Sequence, residues 1–380
     1  MKDAEPIRPL SIPNNIVELV ENVYAKSSYQ GRKLAQAAKL WPEAVKSGQT
    51  VWLGFSGALT PTGLGGIMSE LIKMGYIDII TMTGANAYHD LHFAYSLPVR
   101  KGSPDVDDDD LYKDGTTRIY DTNIHNRITL KGQDTLLQDL LRKVLPKMPQ
   151  KYSSAMLLNG LGKQLDKDER AVSKKGSVLY TAAKKSVPIY LDSQSNHSLG
   201  MDLALLATEG YNADMCPTQD IMEAAAYSIN IQPQFNVFLG EGGPRNFTQT
   251  TGPTASEIFY IPFDGSSGGI ILSVSDERTG ALSGSTFKEA VSWGKYTSAC
   301  LDNKVSVWGE YTITFPLIAA YIKAKGGVQK PKRLMDKREE FLADFLDKAR
   351  KNKHNRIVDQ KKLRKEILLV QKAELERLNR

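Results

Sequence analysis

The chain has 380 residues, 41% hydrophobic and 24% charged, with 49 Lys and Arg against 43 Asp and Glu. That composition can bury a substantial core and excludes wholesale disorder. The length passes the ~250–300 residues at which single cores stop growing, so one large α/β domain with appendages, or two domains, is expected. The two cysteines, Cys216 and Cys300, are too few for a disulfide framework or a zinc cluster, which fits a reducing compartment. No run approaches the ~18 apolar residues of a membrane span and the first residues carry no apolar signal region, so a soluble, cytoplasmic protein with no membrane partner is expected.

The charge is uneven. Residues 330–380 hold 17 basic and 9 acidic side chains, which leaves 32 basic and 34 acidic before them. Basicity therefore belongs to a tail, and the slightly acidic body gives no support to a nucleic-acid partner.

Residues 1–50 carry helical patterning, with Ile16, Leu19, Val20 and Val23 on one face and an Ala/Leu/Lys-rich stretch from Gly31 to Ala44. Val51-Trp52-Leu53-Gly54-Phe55 is an apolar run closed by Ser56-Gly57-Ala58. Pro61-Thr62-Gly63 leads into a helical pattern through Ile67, Leu71 and Ile72, and the stretch from Ile77 to Thr83 reads as a second strand ending at Gly84. Strand, helix and strand within roughly 35 residues is the size of a βαβ unit. Residues 100–125, with five aspartates from Asp105 to Asp110, read as a solvated acidic loop.

Further strands are expected at Ala155–Leu158 before Gly160, at Pro188–Leu191 before a polar run from Asp192 to Asn196, and at Asn236–Leu239 before Gly240-Glu241-Gly242-Gly243. Two more follow at Gly269–Val274 and Lys304–Gly309. Apolar strands separated by helices predict a doubly wound, mainly parallel α/β sheet, with ligands gathered at the carboxyl ends of its strands. Residues 51–326 are read as this domain, 1–50 as an N-terminal helical segment and 327–380 as a basic helical tail hinged near Lys351–Asn355. The tail's apolar stripes, Leu334, Phe341 and Phe345, then Ile367 and Val370, are expected to dock on a neighbouring subunit.

Three features could carry chemistry. In Glu289-Ala290-Val291-Ser292-Trp293-Gly294-Lys295 the lysine either sits in a partly desolvated pocket and reacts as a neutral amine, or is a surface lysine whose stem packs on Trp293. The Gly-rich runs at 54–57, 84–87 and 240–243 either let a backbone approach a flat or phosphorylated ligand or are tight turns; none matches G-x-G-x-x-G. The five histidines show no zinc-protease spacing, and His89-Asp90-Leu91-His92 reads as a helix-start cap with a packed ring; no metal site is expected.

The block Ala290-Val291-Ser292-Trp293-Gly294-Lys295, preceded by Ser283-Gly284 and followed by the run from Gly309-Glu310-Tyr311 to Leu317, resembles the active-site region of the deoxyhypusine synthase family. Leu53-Gly54-Phe55-Ser56, Thr83-Gly84-Ala85-Asn86 leading to His89, Ser198-Leu199-Gly200 and Gly31-Arg32 extend the resemblance over roughly residues 10–325.

The resemblance implies a Rossmann-like NAD-binding fold and NAD-dependent transfer of a 4-aminobutyl group from spermidine or a related polyamine. Transfer would run through an imine on Lys295 to an acceptor amine, either a protein lysine or a free diamine. It also implies a homotetramer with active sites between subunits. By the same resemblance Trp293, Glu289, Asn246 and Asp202 bind substrate, and Ser56, Gly57, Gly84, Ala85, His89, Asn196, Gly280, Ser283 and Glu310 bind cofactor.

The chain departs from the family at several positions. His89 replaces a glutamate; Asn196, Met201 and Leu282 stand where aspartates are usual; Asn246 replaces a histidine. Glu241, Asp276 and Glu277 are the nearby carboxylates that could compensate. The alternative that these losses raise is a retired enzyme kept as a nucleotide-binding or assembly module.

Overall fold

The computed structural model describes residues 6–378 apart from Glu241, and the side chains among them apart from those of Ser283, Cys300, Leu301 and Asp302. In chain order, α1 (Ile16–Glu18) and α2 (Tyr29–Lys46) precede β1 (Thr50–Phe55), α3 (Gly65–Lys73), β2 (Ile79–Met82) and α4 (Gly84–Ala94). An excursion follows, made of β3 (Val99–Lys101), α5 (Asp108–Lys113), β4 (Thr116–Ile119) and β5 (Thr122–His125). Helices α6 (Gly132–Val144), α7 (Ser154–Lys167) and α8 (Val178–Lys185) lead to β6 (Ile189–Leu191), and α9 (Ser198–Thr208) and α10 (Pro217–Asn230) lead to β7 (Gln234–Leu239). The remainder is α11 (Gly243–Pro253), β8 (Gly268–Ser273), α12 (Phe287–Ser292), β9 (Lys304–Trp308), α13 (Tyr311–Lys325), α14 (Arg338–Lys351) and α15 (Lys353–Leu378).

Six strands form one sheet in the order β6-β2-β1-β7-β8-β9, parallel throughout. Counted along the chain this is 3-2-1-4-5-6, the doubly wound dinucleotide-fold order, with its topological switch between β1 and β7. The pleat alternates side chains between two helix layers. Val51, Leu53 and Phe55 join the larger core with Leu34 and Trp41 of α2, Met68 of α3 and Ile318 of α13, while Trp52, Ile79 and Tyr190 pack with Ala224 and Tyr227 of α10. Gly54 is needed inside β1 because a Cβ there would strike the Phe238 ring of the neighbouring strand. The segment before β1 belongs to this body, since α2 packs on α13 and β9. No described helix is long and apolar enough to cross a membrane.

Three expectations fail for identifiable reasons. Ala155–Leu158 is not a strand but part of α7, N-capped by Ser153 and burying Leu157, Leu158, Leu161 and Leu165 at helical spacing. Its glycines let helices approach: a Cβ on Gly160 would meet Val144 of α6, and one on Gly162 would collide with Leu179 and Ala183 of α8. The acidic stretch is not an open loop, because β3, β5 and β4 form a small antiparallel sheet. There Asp107 caps α5 and Asp108 pairs with Arg118 at 2.5 Å. His89 and His92 lie inside α4, whose cap is Thr83, and not at a helix start; Gly84, where the second strand was expected to end, is the first residue of that helix.

The tail divides at Asn352, inside the expected hinge. Its first half docks on its own chain and not on a neighbouring one: Phe345 is fully buried against Phe259 at 4.8 Å between centroids, Leu334 is buried with Tyr227, and Arg338 meets Glu223 at 2.5 Å. Helix α15, with Ile367 and Val370, buries no residue. Phe345→Ala should therefore cost about 3–5 kcal/mol in urea unfolding, whereas ending the chain after Asn352 should change stability by less than about 1 kcal/mol.

Candidate functional site

The sequence around Lys295 is dictated by the way α12 stops. Thr286 caps its start, its hydroxyl accepting from the Glu289 N–H at 3.1 Å. At its end the Gly294 N–H donates to the Val291 carbonyl and the Lys295 N–H to the Ala290 carbonyl, both at 3.0 Å, with Gly294 at φ +66°. This is a Schellman stop, which wants a left-handed residue at that position, so glycine follows Trp293 for a backbone reason. The Lys295 carbonyl then accepts from the Ser266 N–H at 3.0 Å, which holds the lysine backbone beside the amino end of β8.

The Lys295 ammonium stands 5.7 Å from the centre of the Trp293 ring, which is 64% exposed. Burial pushes the Lys295 pKa down, Arg245 pushes it further in the same direction, and Glu289 opposes them. Arg245 was not singled out in the sequence. It lies in the first turn of α11, 1% exposed, its Nη2 donating to the Ser285 carbonyl at 2.6 Å and the Ser285 hydroxyl at 3.0 Å, with its guanidinium 5.9 Å from the Phe238 ring centre. The next residue, Asn246, turns outward and is exposed, so the inward charge beside the lysine is Arg245. The available signal was an arginine directly after Gly-Gly-Pro at a helix start that follows an apolar strand.

Arg245 also borders a cavity of about 430 Å³ at the carboxyl ends of β8 and β9, which Lys33, Ser273, Ser285, Arg278 and Trp308 help to line. Arg278 holds the Asp276 carboxyl well below the usual carboxylate range through contacts at 2.6 and 2.9 Å. Glu277 lines the cavity; Glu241 lies outside the described residues. Gly280 stands in open space nearby, and the Ser283 side chain lies outside the description. Glu310 N-caps α13, one carboxylate oxygen accepting from the Thr312 N–H at 2.8 Å and from the Thr312 hydroxyl.

At the switch point the expected glycine cradles are filled by this chain's own side chains. Gly57 and Gly240 both have positive φ, and a Cβ on either would meet Tyr311, as one on Gly84 would meet the His197 ring. His197 in turn caps α9, with Nδ1 accepting from the Gly200 N–H at 3.0 Å. Ser56 adjoins Gly240, and Asn86 ties the two turns by donating to the Gly57 carbonyl at 2.8 Å. Ala85 and Asn196 are exposed.

The remaining assignments cluster on the β2–β6 side. His89 Nδ1 lies 2.9 Å from His92 Nε2, and burial pushes the two rings down to about 4 and about 3, so both are neutral at pH 7. Asp202 is 5% exposed; Gln138 donates to its Oδ1 at 2.8 Å, and burial, with Asp134 nearby, pushes it up to about 6. Asp192 at the end of β6, also missed in the sequence, is likewise pushed up to about 6 by burial, beside Gly243. Four strand spacings separate β6 from β8, roughly 19 Å. Asp202 follows the first of these strands and Lys295 stands beside the second.

Comparison with known proteins matches residues 18–322 to the family model of deoxyhypusine synthase. This chain belongs to the deoxyhypusine synthase family. A "Deoxyhypusine synthase-like protein" from a Nostoc species is 35% identical over 351 residues, covering 90% of this chain and 89% of the relative. "Probable deoxyhypusine synthase 2" from Methanosarcina acetivorans is 31% identical over 321 residues, covering 84% and 90%. A solved structure described as a candidate deoxyhypusine synthase from Entamoeba histolytica aligns with TM-score 0.53 at 15% identity, over 83% of this chain and 95% of that one, and supports the fold. Deoxyhypusine synthases are transferases of an aminobutyl group. The match to the deoxyhypusine synthase model stops before α14, so the docked helix and α15 lie beyond the family core.

Because its pKa is raised on folding, Asp202 costs stability as pH rises from about 4 through 6, and the cost is complete above that. Asp202→Asn should therefore be more stable than the parent at pH 8 by about 1–3 kcal/mol and equal to it at pH 4, read by urea unfolding. A loss at pH 8 would mean that the carboxylate has a charged partner.

Proposed function

We propose that this protein transfers a 4-aminobutyl group from spermidine or a related polyamine to an acceptor amine through an imine on Lys295, with NAD as cofactor. The observation that carries the reading is the half-buried Lys295, its pKa lowered by burial and by Arg245, within a deoxyhypusine synthase sequence match. Only the neutral amine has a lone pair, so an environment that disfavours the ammonium favours attack. Lys295 adds to the C=N carbon of the oxidised polyamine, the remaining diamine leaves, and Lys295 nitrogen becomes the new imine nitrogen. The acceptor amine then adds to that carbon and expels Lys295. Trp293 offers an exposed apolar face to the methylenes and Glu289 an exposed carboxylate to an ammonium.

The cavity at β8 and β9 offers Lys33, Arg245 and Arg278, the last paired with Asp276, to a diphosphate, and Glu310, two residues after β9, keeps a carboxylate oxygen for a ribose diol. Bound there, NAD would accept a hydride from the polyamine and return it to the product imine. Gly280 and Ser283 fall in sequence between Arg278 and Gly284 of that cavity's lining; Ser56, Gly57, Gly84, Ala85, His89 and Asn196 follow β1, β2 and β6 in sequence. Since Asp202 follows β6 and Lys295 lies beside β8, four strand spacings apart in the sheet, a homotetramer whose sites combine two subunits would unite them, leaving Asp202, and Asn246 on its exposed helix start, to meet the polyamine.

Incubation with NAD and spermidine followed by borohydride and peptide mass analysis should show an aminobutyl adduct on Lys295, absent in Lys295→Arg; NAD binding without any adduct would leave a nucleotide-binding module instead. Mixed oligomers of Lys295→Ala and Asp202→Ala chains should regain up to about a quarter of parental activity, one intact site in four by random pairing of subunits in two-fold interfaces; no recovery would contradict shared sites. Glu310 should also repel a 2′-phosphate. NAD is expected to bind at least about ten-fold more tightly than NADP, and Glu310→Gln, which keeps a capping oxygen, should erase most of that preference in calorimetric titration.

A further inference from the structure

A second cavity, about 540 Å³, lies between α6, α7 and the start of the tail. It is at the other end of the molecule from the β8–β9 cavity: the Met335 N–H on its rim donates to the Ser186 carbonyl at 2.7 Å, just before β6 begins. Four lysines line it, Lys143 and Lys147 one helical turn apart and Lys163 and Lys167 another such pair. None of the four has a hydrogen-bond or ion-pair partner among the described residues. The carboxylates on the rim pair with arginines, Asp336 with Arg333 at 2.8 Å and Glu339 at 3.2 Å with Arg338, which also lines the cavity.

Like charges one turn apart on a helix repel. A lysine in a last turn is favoured by the helix macrodipole, which accounts for Lys143 and Lys167. It does not account for Lys163, a turn earlier in α7, or Lys147, beyond the end of α6. The same lining includes Val144, Met148, Met156 and Met335 beside Gly160, and methionines adapt to flat ligands. Asn159 and Gln164 add amides that can meet the edge of a ring.

We propose that this cavity binds a nucleotide bearing two or more phosphates, the phosphates among the four ammonium groups and the base against the methionines. The site is independent of the Lys295 reaction and of the cations at β8 and β9.

The test is calorimetric titration of the full chain with ATP and with inorganic tripolyphosphate, without metal, at about 0.05 M salt. ATP should bind saturably below about 1 mM and at least several-fold more tightly than tripolyphosphate. The double variant Lys163→Gln/Lys167→Gln should weaken ATP about ten-fold and leave NAD binding unchanged. Lys33→Gln/Arg278→Gln should leave ATP binding unchanged. The proposal is overturned if the parent shows no saturable ATP binding, if the Lys163/Lys167 variant binds ATP as the parent does, or if the Lys33/Arg278 variant is the one that loses it. Equal affinity for tripolyphosphate would overturn the nucleotide and leave a bare polyanion site.

Discussion

Two cations share one poorly hydrated region of this protein, and the proposed chemistry depends on how they are held there. Arg245 is buried and always charged, tied to Ser285; Lys295 is half-buried and can lose its proton. Since the guanidinium does not titrate, the repulsion falls on the lysine. Two local devices fix the geometry. The turn at Gly242 and Pro244 starts α11 so that Arg245 points inward, and the Schellman stop at Gly294 ends α12 so that Lys295 follows it into the crevice. Both helices rest on the same side of the sheet, where Phe238 and Ile271 pack against Phe287, Ala290 and Tyr296.

The sheet explains why the rest of the site is dispersed. In a 3-2-1-4-5-6 order the strands that carry Asp192 and His197 lie at one edge and those that position Lys295 at the other. The switch point between β1 and β7, where a dinucleotide fold ordinarily opens, is packed by Tyr311 against Gly57 and Gly240, and the cavity appears instead one strand along. Carboxyl groups kept in burial at Asp192 and Asp202 cost stability in the isolated chain, which is the expected mark of groups retained for a charged ligand or partner.

Most of the sheet was legible because five of its strands are short apolar runs cut off by Gly, Ser or Asp, and β9 ends the same way. The same rule misread Ala155–Leu158: four apolar residues before a glycine fit a strand end as well as the middle of α7, and only the partners Val144 and Leu179 reveal that the glycines serve helix contact. Lys295 and Trp293 stood out through a family motif, and the structure adds the backbone reason for the glycine between them. Arg245 did not stand out, because burial of a charge depends on Ser285 and Phe238, which lie 40 residues later and 7 earlier. The docking of Phe345 was hidden for the same reason, since its apolar stripe could equally have met another chain.

Arg245 and burial together lower the pKa of Lys295, and the proposed attack of its amine rests on that. The measurement that tests it most directly is the pH dependence of Lys295 labelling by an amine-selective reagent, read by peptide mass analysis, in the parent, Arg245→Met and Arg245→Lys. The account predicts a midpoint in the parent below that of an exposed lysine, a shift to higher pH in Arg245→Met, and a midpoint near the parent's in Arg245→Lys. A midpoint in Arg245→Met equal to the parent's, in protein shown to be folded, would contradict it.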